Sequence, residues 1–367
     1  MLTSYFTLRR FFCCRASFEA TAFTAPKKNL VFLGSPQSLM QVCVSVLDAL
    51  LDASKDPSSN FQLAAIVTQP PSGRGRGRKL MPSPIAQHAL DKGFPQDLIL
   101  TPNKAGEDNF LADLRSISPE LCVTAAYGNI LPKKFLEIPP CGTVNIHPSL
   151  LPLYRGAAPV QRALQDGVTE TGVSLAYTVR ALDSGPIIAS EKVPVDDIIK
   201  APDLLTMLFK IGSGLLLREL PHILDGIAKL KAQPQDHSKA SLAPKLTNDE
   251  SCLSFDQDAK TIHNKVRAFA DWPGTRAKFQ VIDMNGNANV VEIKITTTRI
   301  SDATDVDGGG NEIIYSRSAL LVPCAGDSWL EVLELQPPGK KVMSARDFWN
   351  GLRGQRLKLP QKALSHI

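Results

Sequence analysis

Asn29-Leu-Val-Phe-Leu-Gly34 is an apolar run closed by a glycine, the pattern of a strand buried in a sheet. Apolar residues then recur at Leu39, Cys43, Val46, Leu47 and Leu50, so a helix follows. The alternation continues, with strand patterns at residues 62–68, 120–126, 143–146, 172–178 and 187–194. Helical patterns lie between several of them, near 83–92, 109–116, 159–166 and 202–226. Strands alternating with helices predict an open, Rossmann-like α/β sheet. Around 231–248 the pattern dissolves into Gln, Pro, Asp, Ser and Lys, which predicts an exposed linker. A helix near 258–270 and about five short strand-like runs come next, at 276–282, 289–297, 312–315, 319–322 and 329–336. Turn residues such as Asp283-Met-Asn-Gly286 separate them, and the spacing predicts a small OB-like β-barrel.

The expected organisation is an N-terminal leader at 1–27, an α/β domain at 28–232 and a linker at 233–250. A barrel at 251–352 and a basic tail at 353–367 complete it. The length, 367 residues, suits two such domains. With 43% apolar and 21% charged residues the chain can build a real core, which excludes general disorder. No uninterrupted apolar run approaches the ~18–20 residues of a membrane-spanning helix. The net charge of +5 permits a nucleic-acid partner without demanding one.

Seven cysteines show no Cys-x-x-Cys spacing and no companion histidine pair, so neither a disulfide scaffold nor a metal site is expected. The first turn reads Gly34-Ser35-Pro36 and lacks the G-x-G-x-x-G dinucleotide fingerprint. A P-loop is absent as well. The leader is made of different material. Residues 1–18 hold no acid, while Arg9, Arg10 and Arg15 are cationic and Ser and Thr recur. That composition predicts an organellar transit peptide, with the mitochondrial matrix favoured over a plastid.

Candidate chemistry is densest from Thr143 to Pro159. Asn145 and His147 are spaced i, i+2 at the end of a strand and so face one side. Pro148 and Pro152 break regular structure directly after, leaving the pair at the lip of the sheet, where open α/β folds bind ligands. Further on, a strand leads to Asp183-Ser-Gly185, which puts a carboxylate in a tight turn. Amide, imidazole and carboxylate together suit acyl transfer to an amine. The tetrahedral oxyanion needs donors, the amine must shed a proton, and the Asp183 carboxylate is expected to orient the His147 ring. Taken singly, each residue has an ordinary structural reading as a core histidine, a turn cap or turn chemistry.

The surrounding residues decide. Asn145-Ile-His-Pro-Ser-Leu-Leu-Pro152, Tyr154-Arg-Gly-Ala-Ala-Pro159 and the Asp183 turn resemble the folate-dependent formyltransferase superfamily. Within it the chain is similar to the methionyl-tRNA formyltransferase family from residue 29 to about 352. Val31-Phe-Leu-Gly-Ser-Pro36, Ala126-Tyr-Gly-Asn-Ile-Leu-Pro132 and Gln336-Pro-Pro-Gly-Lys-Lys-Val-Met-Ser-Ala345 match in the same order. The resemblance implies formyl transfer from 10-formyltetrahydrofolate, without a metal, to the methionine amine of initiator Met-tRNA. It implies catalysis by Asn145, His147 and Asp183 and folate contacts from Ser149, Leu150, Leu151 and Pro152, with Tyr127, Ile130 and Leu131 lining the pterin pocket.

Arg74, Arg76, Arg78 and Lys79 sit among glycines, which leaves the backbone free to approach phosphates. In the resembled family a loop here engages the tRNA acceptor end. Lys340, Lys341, Arg346, Arg353, Arg356, Lys358 and Lys362 add a basic face to the barrel and tail, read as a backbone-binding RNA platform. A monomer without membrane attachment is the expectation. Two other readings stay open: a formyltransferase for a small amine, and a non-catalytic RNA-binding protein on the same fold.

Overall fold

A computed structural model describes residues 26–34, 40–74, 79–302 and 310–360. The expected leader, but for its last two residues, lies outside them, as do Arg76, Arg78 and Lys362.

The first domain is built on β1 (Lys28–Leu33), β2 (Phe61–Val67), β5 (Ile99–Leu100), β6 (Leu121–Ala125), β7 (Thr143–His147), β8 (Glu170–Tyr177) and β9 (Ile187–Pro194). A small hairpin, β3 (Ser72–Arg74) and β4 (Lys79–Met81), stands apart from this sheet. The sheet order is β5-β2-β1-β6-β7-β8-β9. It is parallel from β5 to β7, while β8 runs antiparallel to both neighbours.

Alternation along β1 shows why its run is apolar throughout. Leu30 and Phe32 enter the core under α1 (Met40–Lys55), α2 (Pro84–Asp91), α5 (Pro159–Asp166) and α6 (Ala201–Leu224). Val31 and Leu33 point the other way, onto α3 (Asp108–Ile117) and α4 (Lys133–Leu136). A strand covered on both faces has no polar side to show. The chain leaves β1 toward β2 in one direction and returns to β6 in the other, so the carboxyl ends of β1, β6 and β7 open on the crevice at this switch.

The second domain is a closed antiparallel ring. Its strands are β10 (Thr275–Ile282), β11 (Ala288–Ile300), β12 (Glu312–Ser316), β13 (Ala319–Pro323), β14 (Trp329–Gln336) and β16 (Arg356–Lys358), with β15 (Met343–Ser344) added on β14. Pairing of β14 with β11 closes the ring. The sixth strand corrects the sequence reading. Residues from 353 were expected as a basic tail, yet β16 pairs with β10 and β12 and buries Leu357 completely. Three residues with one apolar member carry no readable period. Helix α9 (Ala345–Gly351), which the reading also lacked, is capped by Ser344 and packs on the ring.

Helix α8 (Ala259–Ala268) joins the two cores. Ala259, Ile262 and Val266 lie in the barrel core, while Ala268 and the following Phe269 lie in that of the first domain. Its polar residues seal the seam: His263 Nε2 donates to the Asp197 carbonyl at 2.7 Å, and Arg267 Nη1 donates to that of Asp196 at 2.8 Å.

The linker departs furthest from expectation. After α7 (Ile227–Lys231), residues 233–246 lie across the first domain and bury Gln235, Ala243 and Leu246. An exposed connection was expected because the segment has no apolar period. It docks through backbone and side-chain hydrogen bonds instead, which leave no such trace.

Candidate active site

Strand β7 carries Asn145 and His147 to the carboxyl edge of the sheet. Asn145 stands opposite Thr124 on β6, whose Oγ1 donates to Asn145 Oδ1 at 2.8 Å. That bond assigns the amide oxygen and leaves Nδ2 as a donor with no partner among the described residues. His147 is buried, and its Nε2 lies 2.9 Å from the Tyr154 carbonyl. A carbonyl only accepts, so Nε2 bears a proton, and Nδ1 has no hydrogen-bond partner among the described residues. Nδ1 faces Asp183 Oδ2 at 3.8 Å.

The sequence reading gave Asp183 the task of orienting His147. The geometry divides the work differently. At 3.8 Å the carboxylate makes no direct hydrogen bond to the ring, and the Tyr154 carbonyl sets the ring's orientation. Asp183 Oδ2 instead accepts from the Gly156 backbone N–H at 2.9 Å. It is held as a charge beside the imidazole, with φ +42° in the left-handed region. Such a backbone costs an L-residue about 1–2 kcal/mol and persists only where its surroundings impose it.

The loop between these residues is fixed by its backbone. Ser174, opposite His147 on β8, donates from Oγ to the Ser149 carbonyl at 2.8 Å and accepts from the Leu151 N–H at 3.0 Å. Ser149 is fully buried and donates to the Leu153 carbonyl at 2.6 Å. Tyr154 donates from its phenol to Asp166 at 2.9 Å, and burial followed by that carboxylate raises the phenol's pKa well above its ordinary value.

Linker residues complete the wall. Ser241 Oγ accepts from the Tyr154 N–H, the Ser241 carbonyl from that of Arg155, and Ala243 both donates to Arg155 and accepts from Ala158. Gly156 has φ +128°, and a Cβ there would fall 2.6 Å from the Ala243 carbonyl oxygen. Only glycine fits.

Asn145, His147 and Asp183 thus meet at one corner, with Ser149 to Pro152 forming the loop beyond it. Leu150 packs on Gly172, where a Cβ would fall 2.5 Å from the leucine Cδ2. The expected pterin-lining residues separate. Tyr127 and Leu131 pack against the core cluster of Phe110 and Phe135, and burial raises the Tyr127 phenol's pKa. Ile130 is 90% exposed and free to meet a ligand. Lys79, exposed, pairs with Arg74 in the β3–β4 hairpin, away from this corner's hydrogen-bond network. The hairpin is tied at its base by Thr68 and Ser83, whose hydroxyls lie 2.8 Å apart.

Thr124, Ser174, Ser241 and Gln235 escaped the sequence reading. For the first two a signal existed: a hydroxyl inside the otherwise apolar strand runs Leu121-Cys-Val-Thr-Ala125 and Gly172-Val-Ser-Leu175. Among the described residues no group of His, Cys, Asp and Glu could hold a metal ion, and no helix is long and apolar enough to cross a membrane.

Residues 29–211 match the formyl transferase family, and residues 245–353 match the formyl transferase C-terminal domain. Methionyl-tRNA formyltransferase of Moorella thermoacetica is 37% identical over 325 residues, covering 88% of this chain and 96% of its own. That of Dictyoglomus turgidum is 38% identical, covering 81% and 91%. Among solved structures, a sugar 3N-formyl transferase crystallised in the presence of dTDP and 5-N-formyl-THF superposes with a TM-score of 0.58 at 17% identity, over 86% of this chain and all of that one. The last likeness shows the fold alone. The two-domain fold and the match, over more than four-fifths of each chain, to relatives above 30% identity agree: the chain belongs to the methionyl-tRNA formyltransferase family.

Proposed function

We propose that this protein transfers the formyl group of 10-formyltetrahydrofolate to the methionine amine of initiator Met-tRNA. The observation that carries the reading is the corner itself, where an unpartnered amide donor, a buried imidazole with a free Nδ1 and a carboxylate 3.8 Å away converge. The folate supplies the formyl carbon, and Leu150, Leu151 and Pro152 with the exposed Ile130 are the residues to hold it; Ser149, fully buried with its hydroxyl bonded to the Leu153 carbonyl, shapes their loop from within. Asn145 Nδ2 donates to the oxygen that gains charge as the amine adds, a contribution worth about 10²–10³ in rate for one such donor. His147 Nδ1 takes the proton that the amine sheds as it adds to the formyl carbon, and returns it to the folate nitrogen N10 as the C–N10 bond breaks and tetrahydrofolate leaves. The Asp183 carboxylate steadies the resulting imidazolium by charge, while the Tyr154 carbonyl keeps the ring in place.

The acceptor reading rests on the relatives named methionyl-tRNA formyltransferase, matched over most of both chains, and on the cations of the hairpin and barrel. A small-amine acceptor has no use for those cations. The experiment pairs the full-length protein and labelled 10-formyltetrahydrofolate with Met-charged initiator tRNA, and with free methionine as control. Label on the charged tRNA alone is the expected result. Label on free methionine would favour the small-amine reading, and label on neither, with tRNA still bound, the non-catalytic one.

The enzyme serves organellar translation initiation, as a monomer in the mitochondrial matrix. The acid-poor, cationic, hydroxylated residues 1–18 support the location. A reporter fused to residues 1–27 should co-fractionate with mitochondria; one that stays in the cytosol overturns the localisation.

A further inference from the structure

One side-chain amide grips both halves of the active corner from behind. Gln235 is buried, and its Oε1 accepts from Arg155 Nε at 3.0 Å and Nη2 at 2.6 Å. Its Nε2 donates to the carbonyls of Asp183 at 2.9 Å and Gly185 at 2.7 Å. The amide cannot be turned over: a guanidinium only donates and carbonyls only accept, so both ends are assigned by their partners.

What it grips needs gripping. Asp183 has the left-handed φ of +42°, and Gly185 lies so near Tyr177 that a Cβ would fall 1.8 Å from the tyrosine carbonyl oxygen. The opposing loop is laid against Ser241 and Ala243 of the linker. Loop and turn meet at the bond from the Gly156 N–H to Asp183 Oδ2. A bridge between Arg155 and the turn therefore sets where the carboxylate stands relative to His147. Packing alone would ask for an apolar side chain here; four matched polar contacts to two active segments answer a demand for position.

We propose that Gln235 is a positioning residue for formyl transfer: it stations the Asp183 carboxylate beside His147 and makes the interdomain linker the third wall of the site. The inference rests on the catalytic reading of Asn145, His147 and Asp183. Gln235→Glu separates the two grips. The new carboxylate still accepts from Arg155, so the linker stays docked, but it cannot donate to the two carbonyls, and the turn is released. Gln235→Met, similar in length and apolar, releases both.

The test uses the full-length protein with Met-charged initiator tRNA, a pH–rate profile and hydrogen exchange at two backbone amides. The Gly156 amide reports the Asp183 carboxylate, and the Ala158 amide, which donates to Ala243, reports linker docking. For Gln235→Glu, kcat should fall ~10–100-fold, the cost of a small misplacement of a reacting group. KM for the tRNA should stay within about twofold and the pH–rate profile should shift, since the charge beside His147 has moved. Gly156 should lose protection while Ala158 keeps it; Gln235→Met should lose both. Unchanged kcat and pH profile, or unchanged Gly156 protection, overturns the proposal. So does loss of Ala158 protection in Gln235→Glu, which would make the residue a general scaffold. A wild-type protein that transfers no formyl group defeats the functional reading instead, and Gly156 exchange then decides the positioning claim alone.

Discussion

The corner that would perform the chemistry and the parts that would hold RNA are built on opposite plans. At the corner His147 and Ser149 are buried, each backbone turn is bonded to a neighbour, and one glycine is placed where no Cβ fits. The β3–β4 hairpin is a ribbon tied at its base, with Leu80 70% exposed, and Lys340, Lys341, Arg346 and Arg353 stand in the open. A reacting amine must be held to a fraction of an ångström, so rigidity is worth its conformational cost. A phosphate backbone is felt as a field over a Debye length of about 8–10 Å, and flexible cations meet it as well as fixed ones.

The sharpest way to break the contrast is His147→Ala. Turnover should drop ~10²–10⁴-fold, the usual worth of a positioned proton-transfer group. Binding of tRNA, measured by filter retention, should be unchanged, because no cation of the hairpin or barrel is touched. Loss of binding together with turnover would mean that the two plans are not separate.

The reverse experiment acts on charge. Replacing Arg74, Arg76, Arg78 and Lys79 together by Ser should leave kcat at saturating tRNA near the wild-type value while raising KM by ~10-fold or more at moderate salt. The slope of log affinity against log salt should shrink by about one for each phosphate that is no longer neutralised. An unaltered slope would show the hairpin to be merely solvated.

Legibility in the sequence followed the same division. The longer strands and helices of the first domain were readable because burial imposes a period, as along β1, where successive residues enter opposite cores; the two-residue β5 and the single-turn α4 are too short to show one. The reactive trio was readable because each residue ends a strand or opens a turn. Asp183 stands where its Ser-Gly turn announced it, although its orienting duty passed to the Tyr154 carbonyl, which no sequence pattern marks. Strand β16 and the linker were not readable. Leu357 is a single apolar residue among charges, and Gln235 lies in a polar stretch whose partners, Arg155 and Asp183, are 80 and 52 residues away. Contacts made one side chain at a time across such separations have no local signature.

The smallest expected effect tests the seam that joins the two plans. His263 on α8 is buried between the domains, donating from Nε2 to the Asp197 carbonyl and accepting at Nδ1 from Thr298 Oγ1 at 2.9 Å. Burial holds its pKa below the ordinary histidine value, and nearby Arg267 adds to this, against the Asp197 carbonyl and carboxylate, which favour the proton. The folded protein therefore binds this proton less readily than the unfolded chain does. Stability contributed by the neutral ring is complete above the ordinary histidine value, about 6.5, and is lost as pH falls below it toward the lower folded value. Wild-type protein should thus melt at a lower temperature at pH 5.5 than at pH 7.5. In His263→Gln, which keeps a donor and an acceptor but no titrating group, that drop should be smaller by about 2–4 °C. Equal drops in the two proteins would place the acid sensitivity elsewhere. A smaller drop, with transfer activity at pH 7.5 retained, would show that the seam fastens the barrel to the sheet without entering the chemistry.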